Sequence, residues 1–175
     1  MKKDEMMEAF KALDAKLTTP LTMLVGGGAA MLLAHGVPLA THDIDGVPLD
    51  SQVSPAEVER MVREVAAELR ISPHWYNDYF KTFTFSLPPN FRERLVKVFK
   101  GRFLTVKALG ALDLLVMKCM AGREKDIGHA RALVRRGADW REAEAHIDRL
   151  AQKGIPGAAE AMRFLEDLAA EANDA

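Results

Sequence analysis

Leu21-Thr22-Met23-Leu24-Val25-Gly26-Gly27-Gly28-Ala29-Ala30-Met31-Leu32-Leu33-Ala34-His35-Gly36, followed by Thr41-His42-Asp43-Ile44-Asp45, is the stretch whose reading decides the fold. Leu21 to Val25 is a short apolar run bounded by Pro20 and glycines, which predicts a buried strand. The glycines turn the chain into a helix, Ala29 to His35, closed by Gly36, and His42 to Leu49 predicts a second strand. A strand that ends in Gly26, Gly27 and Gly28 and feeds a helix presents backbone N–H groups at the positive end of the helix dipole. Without a Cβ, a phosphate can come close. A tight strand-to-helix turn asks for the same residues, so the glycines alone leave both readings open. Asp43 and Asp45, on a strand, point to one face while Ile44 points into the core. Two residues along a strand cover ~6.6 Å. Two carboxylates at that spacing repel by roughly 2.5 kcal/mol at an effective dielectric of 20. A divalent cation turns this repulsion into attraction, and paired hard oxygens suit magnesium, which keeps its other positions for water and phosphate. A solvent-facing pair on an edge strand or turn is the alternative for an isolated Asp-x-Asp. The combination places phosphate cradle and metal ligands at adjacent strand ends.

Working outward, Met6, Met7, Phe10, Leu13 and Leu17 form one face of a helix over residues 3–17, ended by Thr18-Thr19-Pro20. Ser54-Pro55-Ala56-Glu57 starts the next helix: Ser54 as N-cap, Pro55 in the first helical position, Glu57 closing a capping box. Val58, Met61, Val62, Val65 and Leu69 then keep the helical period to about Arg70. Tyr79 to Ser86 alternates aromatic and β-branched residues, which predicts a strand. Residues 94–99 and 103–109 flank Lys100-Gly101-Arg102 as a hairpin. From Ala111 on, the pattern is helical over 111–121, 124–136, 140–152 and 157–171, broken by glycines. The order predicts an α+β fold: a small mixed sheet flanked by helices, with a C-terminal helical tail. Residues 1–109 form the core and 110–175 a helical part packed on it, one domain overall.

Hydrophobic residues are 49% of the 175, charged residues 28%, and the net charge is −1, ordinary globular values that argue against a general nucleic-acid coat protein. The lone Cys119 sits among Leu115, Val116, Met117 and Met120 and reads as a buried thiol. The charged start, Met1-Lys2-Lys3-Asp4-Glu5, is no signal peptide, and no apolar run approaches the ~20 residues that cross a bilayer. These features predict a cytoplasmic protein without a membrane partner. The histidines His35, His42, His74, His129 and His146 lack zinc-ligand spacing, and no nucleophile triad is legible. Arg92, Arg94, Lys97, Lys100, Arg102 and Lys107 make a basic stretch opposed only by Glu93. It reads as a solvated hairpin face or as a track for phosphates. Lys118 is a cation inside an apolar helical run, which requires it to snorkel or to meet a partner.

Taken together, the glycine turn and Asp43-Ile44-Asp45 resemble the nucleotidyltransferase superfamily. More narrowly they are similar to bacterial proteins related to the abortive-infection nucleotidyltransferase toxins. Gly27-Gly28-Ala29 through Gly36, then Thr41-His42-Asp43-Ile44-Asp45, carries the likeness. Trp75-Tyr76-Asn77-Asp78 is similar to a Trp-Leu-Asn-Asp element of that group, and Leu114-Leu115 through Lys118, Ala121, Arg123 and Asp126 to a later signature. The chain departs at Leu39, where an arginine is usual, and at His129, where an aspartate is usual. A third strand carboxylate has Asp78 and Glu93 as candidates. The resemblance implies magnesium on Asp43 and Asp45, and catalytic roles for Lys118 and Asp126. It also implies a nucleoside triphosphate bound by Gly26, Gly27, Gly28, Thr41 and Arg123. The acceptor would be an RNA, protein or small-molecule hydroxyl, and the protein could be the toxin of a toxin–antitoxin pair. A catalytically silent nucleotide-binding or protein-interaction module is the alternative.

Overall fold

The computed structural model describes residues 1–39 and 41–173; Ala40, in the stretch before Asp43, lies outside them. Contacts divide the chain into two compact units, Met1–Lys81 with Leu95–Leu109, and Thr82–Arg94 with the helices from Gly110 onward. The fold is α+β: a mixed sheet flanked by helices, then C-terminal helices.

The first unit runs α1 (Lys3–Lys16), β1 (Leu21–Val25), α2 (Gly27–His35), β2 (Ile44–Ser51), α3 (Pro55–Leu69), β3 (Tyr76–Asn77), β4 (Val96–Lys100) and β5 (Leu104–Ala108). Its five strands lie in the order β3-β2-β1-β5-β4. β1 is antiparallel to β2 and parallel to β5; β4 is antiparallel to β5, and β2 parallel to β3. Leu21, Met23 and Val25 of β1 and Leu104, Val106 and Ala108 of β5 are fully buried. Phe10 of α1 meets the ring of Phe99 on β4 with centroids 5.7 Å apart. Each such buried side chain stabilises the unit by about 1.5–3 kcal/mol. The predicted capping box is present: Glu57 N–H donates to Ser54 Oγ at 3.3 Å and Ser54 N–H to Glu57 Oε2 at 3.0 Å. Gly36, in the left-handed region at φ 59°, ends α2 as predicted.

The second unit holds Thr82–Arg94 and four helices, α4 (Ala111–Ala121), α5 (Glu124–Arg135), α6 (Trp140–Gln152) and α7 (Ala158–Asn173). α4 is buried on nearly every side and packs against α5, α6 and α7. Arg94 donates to buried Asp113 through Nε at 3.0 Å and Nη2 at 2.6 Å, a bidentate pair that fastens the segment before β4 to α4. His146 Nε2 donates to Ser86 O at 2.8 Å. Among the described residues no helix is long and apolar enough to cross a membrane.

Tyr79–Ser86 is the one predicted strand that does not form; it is a 3-10 helix. Asn77 Oδ1 accepts the Tyr79 N–H at 2.9 Å, and Lys81 N–H donates to Asp78 O at 2.9 Å. These local bonds turn the chain away from extension before it can pair. The alternation is not used either, since Phe80 is buried while Phe85 is exposed.

Candidate active site

The glycine turn and the acidic stretch meet at the end of β1. Val25 pairs with Gly46, and one step further Gly26 N–H donates to Asp45 O at 2.9 Å. Gly26 is then the N-cap of α2 and has no side chain with which to cap it. Gly27 stands at φ 55°, a conformation that favours glycine. A Cβ there would run into Asp45 Oδ2 and lie 3.3 Å from its Cγ, so the missing side chain is the space the carboxylate occupies. At Gly28 a Cβ would come within 3.0 Å of Thr41 Oγ1. Thr41 in turn donates that hydroxyl to Asp43 O at 3.1 Å.

β2 begins at Ile44, so Asp43 lies in the bend before the strand rather than on it. Ile44 is fully buried, whereas Asp43 and Asp45 are partly exposed, the division that alternation predicts. Being outside the ladder, Asp43 is held by a side chain: Asn77 Nδ2 donates to Asp43 Oδ2 at 2.7 Å. The Tyr79 N–H on Asn77 Oδ1 fixes which end of the amide faces Asp43. β3 is placed by its register, Ile44 against Tyr76 and Asp45 against Asn77, with Ile44 N–H donating to Trp75 O at 2.7 Å. Trp75, fully buried, donates Nε1–H to Val62 O of α3 at 2.9 Å. Tyr76 lies against Gly46, and burial, then the charge of Asp78, raises its phenol pKa. Asn77 and its partner Asp43 are 34 residues apart, so no local pattern announces the bond.

The donor set here is oxygen only. Among the described residues no group of three or more His, Cys, Asp or Glu side chains is gathered around a metal position. Two carboxylates beside a glycine turn fit magnesium, which takes one or two from the protein and fills its shell with water and phosphate. Of the two candidates for a third carboxylate, Asp78 is exposed just beyond Asn77, and Glu93 is exposed in a 3-10 turn of the second unit.

Lys118, Arg123 and Asp126 come together within the second unit. Asp126 is fully buried and accepts from Lys118 Nζ and, at 2.7 Å, from Arg123 Nε. His129 Nδ1 stands 3.9 Å from Asp126 Oδ1. Burial alone would raise the Asp126 pKa, but Arg123 and Lys118 outweigh it and hold the carboxyl below its ordinary value. Lys118 therefore meets a partner rather than snorkelling. Arg123 is the most exposed cation of the cluster, its side chain 40% accessible. Cys119 is buried, which pushes its thiol up to about 12 and leaves no thiolate at neutral pH.

A glycine strand-to-helix turn is thus bonded to the aspartate of the adjacent strand, with a second aspartate two residues earlier, at one end of a sheet in an α+β fold. The chain belongs to the family described as nucleotidyltransferase of unknown function (DUF6036), whose model matches residues 4–150. That span contains Gly26–Gly28, the Asp43–Asp45 pair, Asn77 and the Lys118–Asp126 cluster. No curated protein and no solved structure matches the chain. Transfer of a nucleotidyl group, with a nucleoside triphosphate as substrate, is the general chemistry that membership brings.

Proposed function

We propose that the protein uses magnesium to move a nucleoside monophosphate from a triphosphate to an acceptor hydroxyl. The observation that carries this reading is the junction of turn and acidic pair, with Gly26 N–H on Asp45 O and the Asp45 carboxylate in the space a Cβ of Gly27 would fill. Asp43 and Asp45 would hold the magnesium, which when bound neutralises phosphate charge. Gly27 and Gly28 offer their N–H groups at the start of α2, where the helix dipole favours an anion. Thr41 and Asn77 keep the bend that carries Asp43 in place. The acceptor oxygen bonds to the α-phosphorus as the bond to the pyrophosphate oxygen breaks, and the acceptor proton passes to water or a carboxylate. Likeness to the abortive-infection toxins supports a bacterial, cytoplasmic toxin restrained by an antitoxin.

The test is label transfer. Purified protein with magnesium, α-labelled nucleoside triphosphates and separate RNA, protein and small-molecule fractions of a cell extract should label one fraction. The Asp43→Asn/Asp45→Asn variant should lose on the order of 10³-fold or more of that rate with its thermal melt retained. Undiminished transfer by the double variant would sink the reading. A second reading, a silent descendant that binds nucleotide, draws on Leu39 and His129. Leu39 puts Cδ1 3.6 Å from the place of a Gly28 Cβ, an apolar group where the resemblance leads one to expect a guanidinium. Its signature would be magnesium-dependent nucleotide binding with no labelled fraction.

A further inference from the structure

Each glycine of the turn lies against another group of the same chain. A Cβ on Gly26 would come within 3.2 Å of the Phe80 ring, and one on Gly28 within 3.0 Å of Thr41 Oγ1. A Cβ on Gly27 would run into the Asp45 carboxylate. Gly26 is buried and so is Phe80, 3% exposed, whereas Gly27 and Gly28 are partly exposed. An anion arriving from solvent therefore meets the turn at Gly27 and Gly28. Phe80 and Thr41 are uncharged. The group that stands at Gly27 is itself an anion.

The two aspartates are held differently. Asp43 lies in the bend before β2, and Asn77 Nδ2 donates to its Oδ2 at 2.7 Å. Asp45 lies on β2, and its carbonyl accepts the Gly26 N–H at 2.9 Å, one step beyond the pairing of Val25 with Gly46. The ladder fixes the Asp45 backbone, while rotation about its side-chain bonds can carry the carboxylate off Gly27. The carboxylate stands where α2 begins, and Gly26, the N-cap, has no side chain to take that place. The start of a helix favours an anion through its N–H groups and its dipole.

We infer that the Asp45 carboxylate is an autoinhibitory occupant of the glycine turn, and that the protein admits a triphosphate only after a divalent cation has drawn Asp45 away from Gly27. The inference rests on the nucleotidyl-transfer reading above and adds an order of binding to it. A phosphate oxygen and the Asp45 carboxylate exclude each other at Gly27, by overlap and by like charge. A divalent cation takes carboxylate and phosphate oxygens alike, so with it bound the two anions share one ion instead of one place. Asp43 is then the fixed ligand, oriented by Asn77. Asp45 is a ligand that also closes the turn to anions while the protein is metal-free.

The probe is inorganic tripolyphosphate, titrated by calorimetry in the presence of EDTA so that neither nucleoside nor metal contributes. Asp45→Ala and Asp43→Ala remove the same charge, but only the first clears Gly27. Couplings between two sites of this kind typically amount to about 5–150-fold. Asp45→Ala should therefore bind metal-free tripolyphosphate at least about tenfold more tightly than wild type, with Asp43→Ala close to wild type. Asp45→Asn keeps the shape of the side chain, and carries the test should the alanine variant fold poorly. It should gain less than Asp45→Ala and more than Asp43→Asn. A second readout is amide NMR. The Gly27 and Gly28 signals of wild type should move on addition of magnesium alone, and those of Asp45→Ala should move less. Equal gains in the Asp43 and Asp45 variants would reduce the effect to net charge and overturn the inference. Wild-type glycine signals that ignore magnesium also overturn it. If the Asp45 variants show the gain but wild type with magnesium and nucleotides labels nothing, the transfer reading fails and the autoinhibitory contact stands. Wild type that transfers label, with no gain in the Asp45 variants, removes the contact and leaves the transfer reading.

Discussion

Asp43 depends on a neighbour outside its own strand. A carboxylate in a bend is free to turn away from a metal, and the Asn77 amide, itself pinned by Tyr79 N–H, stops it by engaging one oxygen. Partners of this sort typically contribute 10–100-fold to metal affinity. Asn77→Ala should accordingly weaken Mn²⁺ binding, read by the electron paramagnetic resonance of the free ion, by at least about tenfold. Its thermal melt should move little. Equal affinity in the two proteins would make the bond a structural link only. Gly27→Ala tests the other side of the junction. A left-handed φ costs a non-glycine residue roughly 1–2 kcal/mol, and the new Cβ would displace Asp45, so transfer should fall further than stability. Asp43, Asp45 and Gly27 were legible because their chemistry is written within one short stretch. Asn77 was not, because only the β2–β3 pairing brings it to Asp43.

Elements with a strong local signal came out as read, and those decided by distant partners did not. The capped α3, the glycine-ended α2 and the β4–β5 hairpin each follow from residues within a few positions. Tyr79–Ser86 has the composition of a strand, but β3 at the sheet edge is only two residues long and side-chain bonds divert the chain after it. The hairpin holds a further feature that no local pattern announces. Asp14, near the end of α1, accepts N–H bonds from Arg102 at 2.9 Å, Phe103 at 2.8 Å and Leu104 at 2.6 Å. Burial works to raise the Asp14 pKa, but the N–H groups of Leu104, Arg102 and Phe103 and the charge of Arg102 leave it below the ordinary value. A carboxyl whose pKa is lower folded than unfolded stabilises the fold fully above its unfolded pKa, about 3.9. That stability is lost as pH falls through the folded value. Asp14→Asn should cost about 1–2 kcal/mol near neutrality, and the gap from wild type should close below roughly pH 4. Denaturant melts at neutral and acid pH measure it; a gap that stays constant into acid would remove the carboxylate from the account.

At the scale of the whole molecule, residues 4–150 carry the family and its general chemistry, while the chain departs at two positions from the toxin pattern it resembles. Leu39 lies beside the glycine turn, and His129 beside the buried Asp126. The junction itself is made by Asp45 with Gly26 and Gly27, and by the bond from Asn77 to Asp43. If those contacts carry the chemistry, wild type transfers label. Leu39→Arg/His129→Asp should then alter kcat/KM by no more than about tenfold, or 1.4 kcal/mol. The two changes also differ in kind. Arginine at 39 adds a cation next to the turn and should show mainly in KM for the triphosphate. Aspartate at 129 brings a second carboxylate toward one already shared by Lys118 and Arg123, so it should lower stability unless a cation is recruited. Single variants, melted and assayed side by side, separate these effects. The opposite pattern is equally concrete: wild type binds nucleotide with magnesium and labels nothing, and the double variant labels an acceptor. That result would make Leu39 and His129 the sites of a lost activity and replace the proposed transferase with a nucleotide-binding descendant.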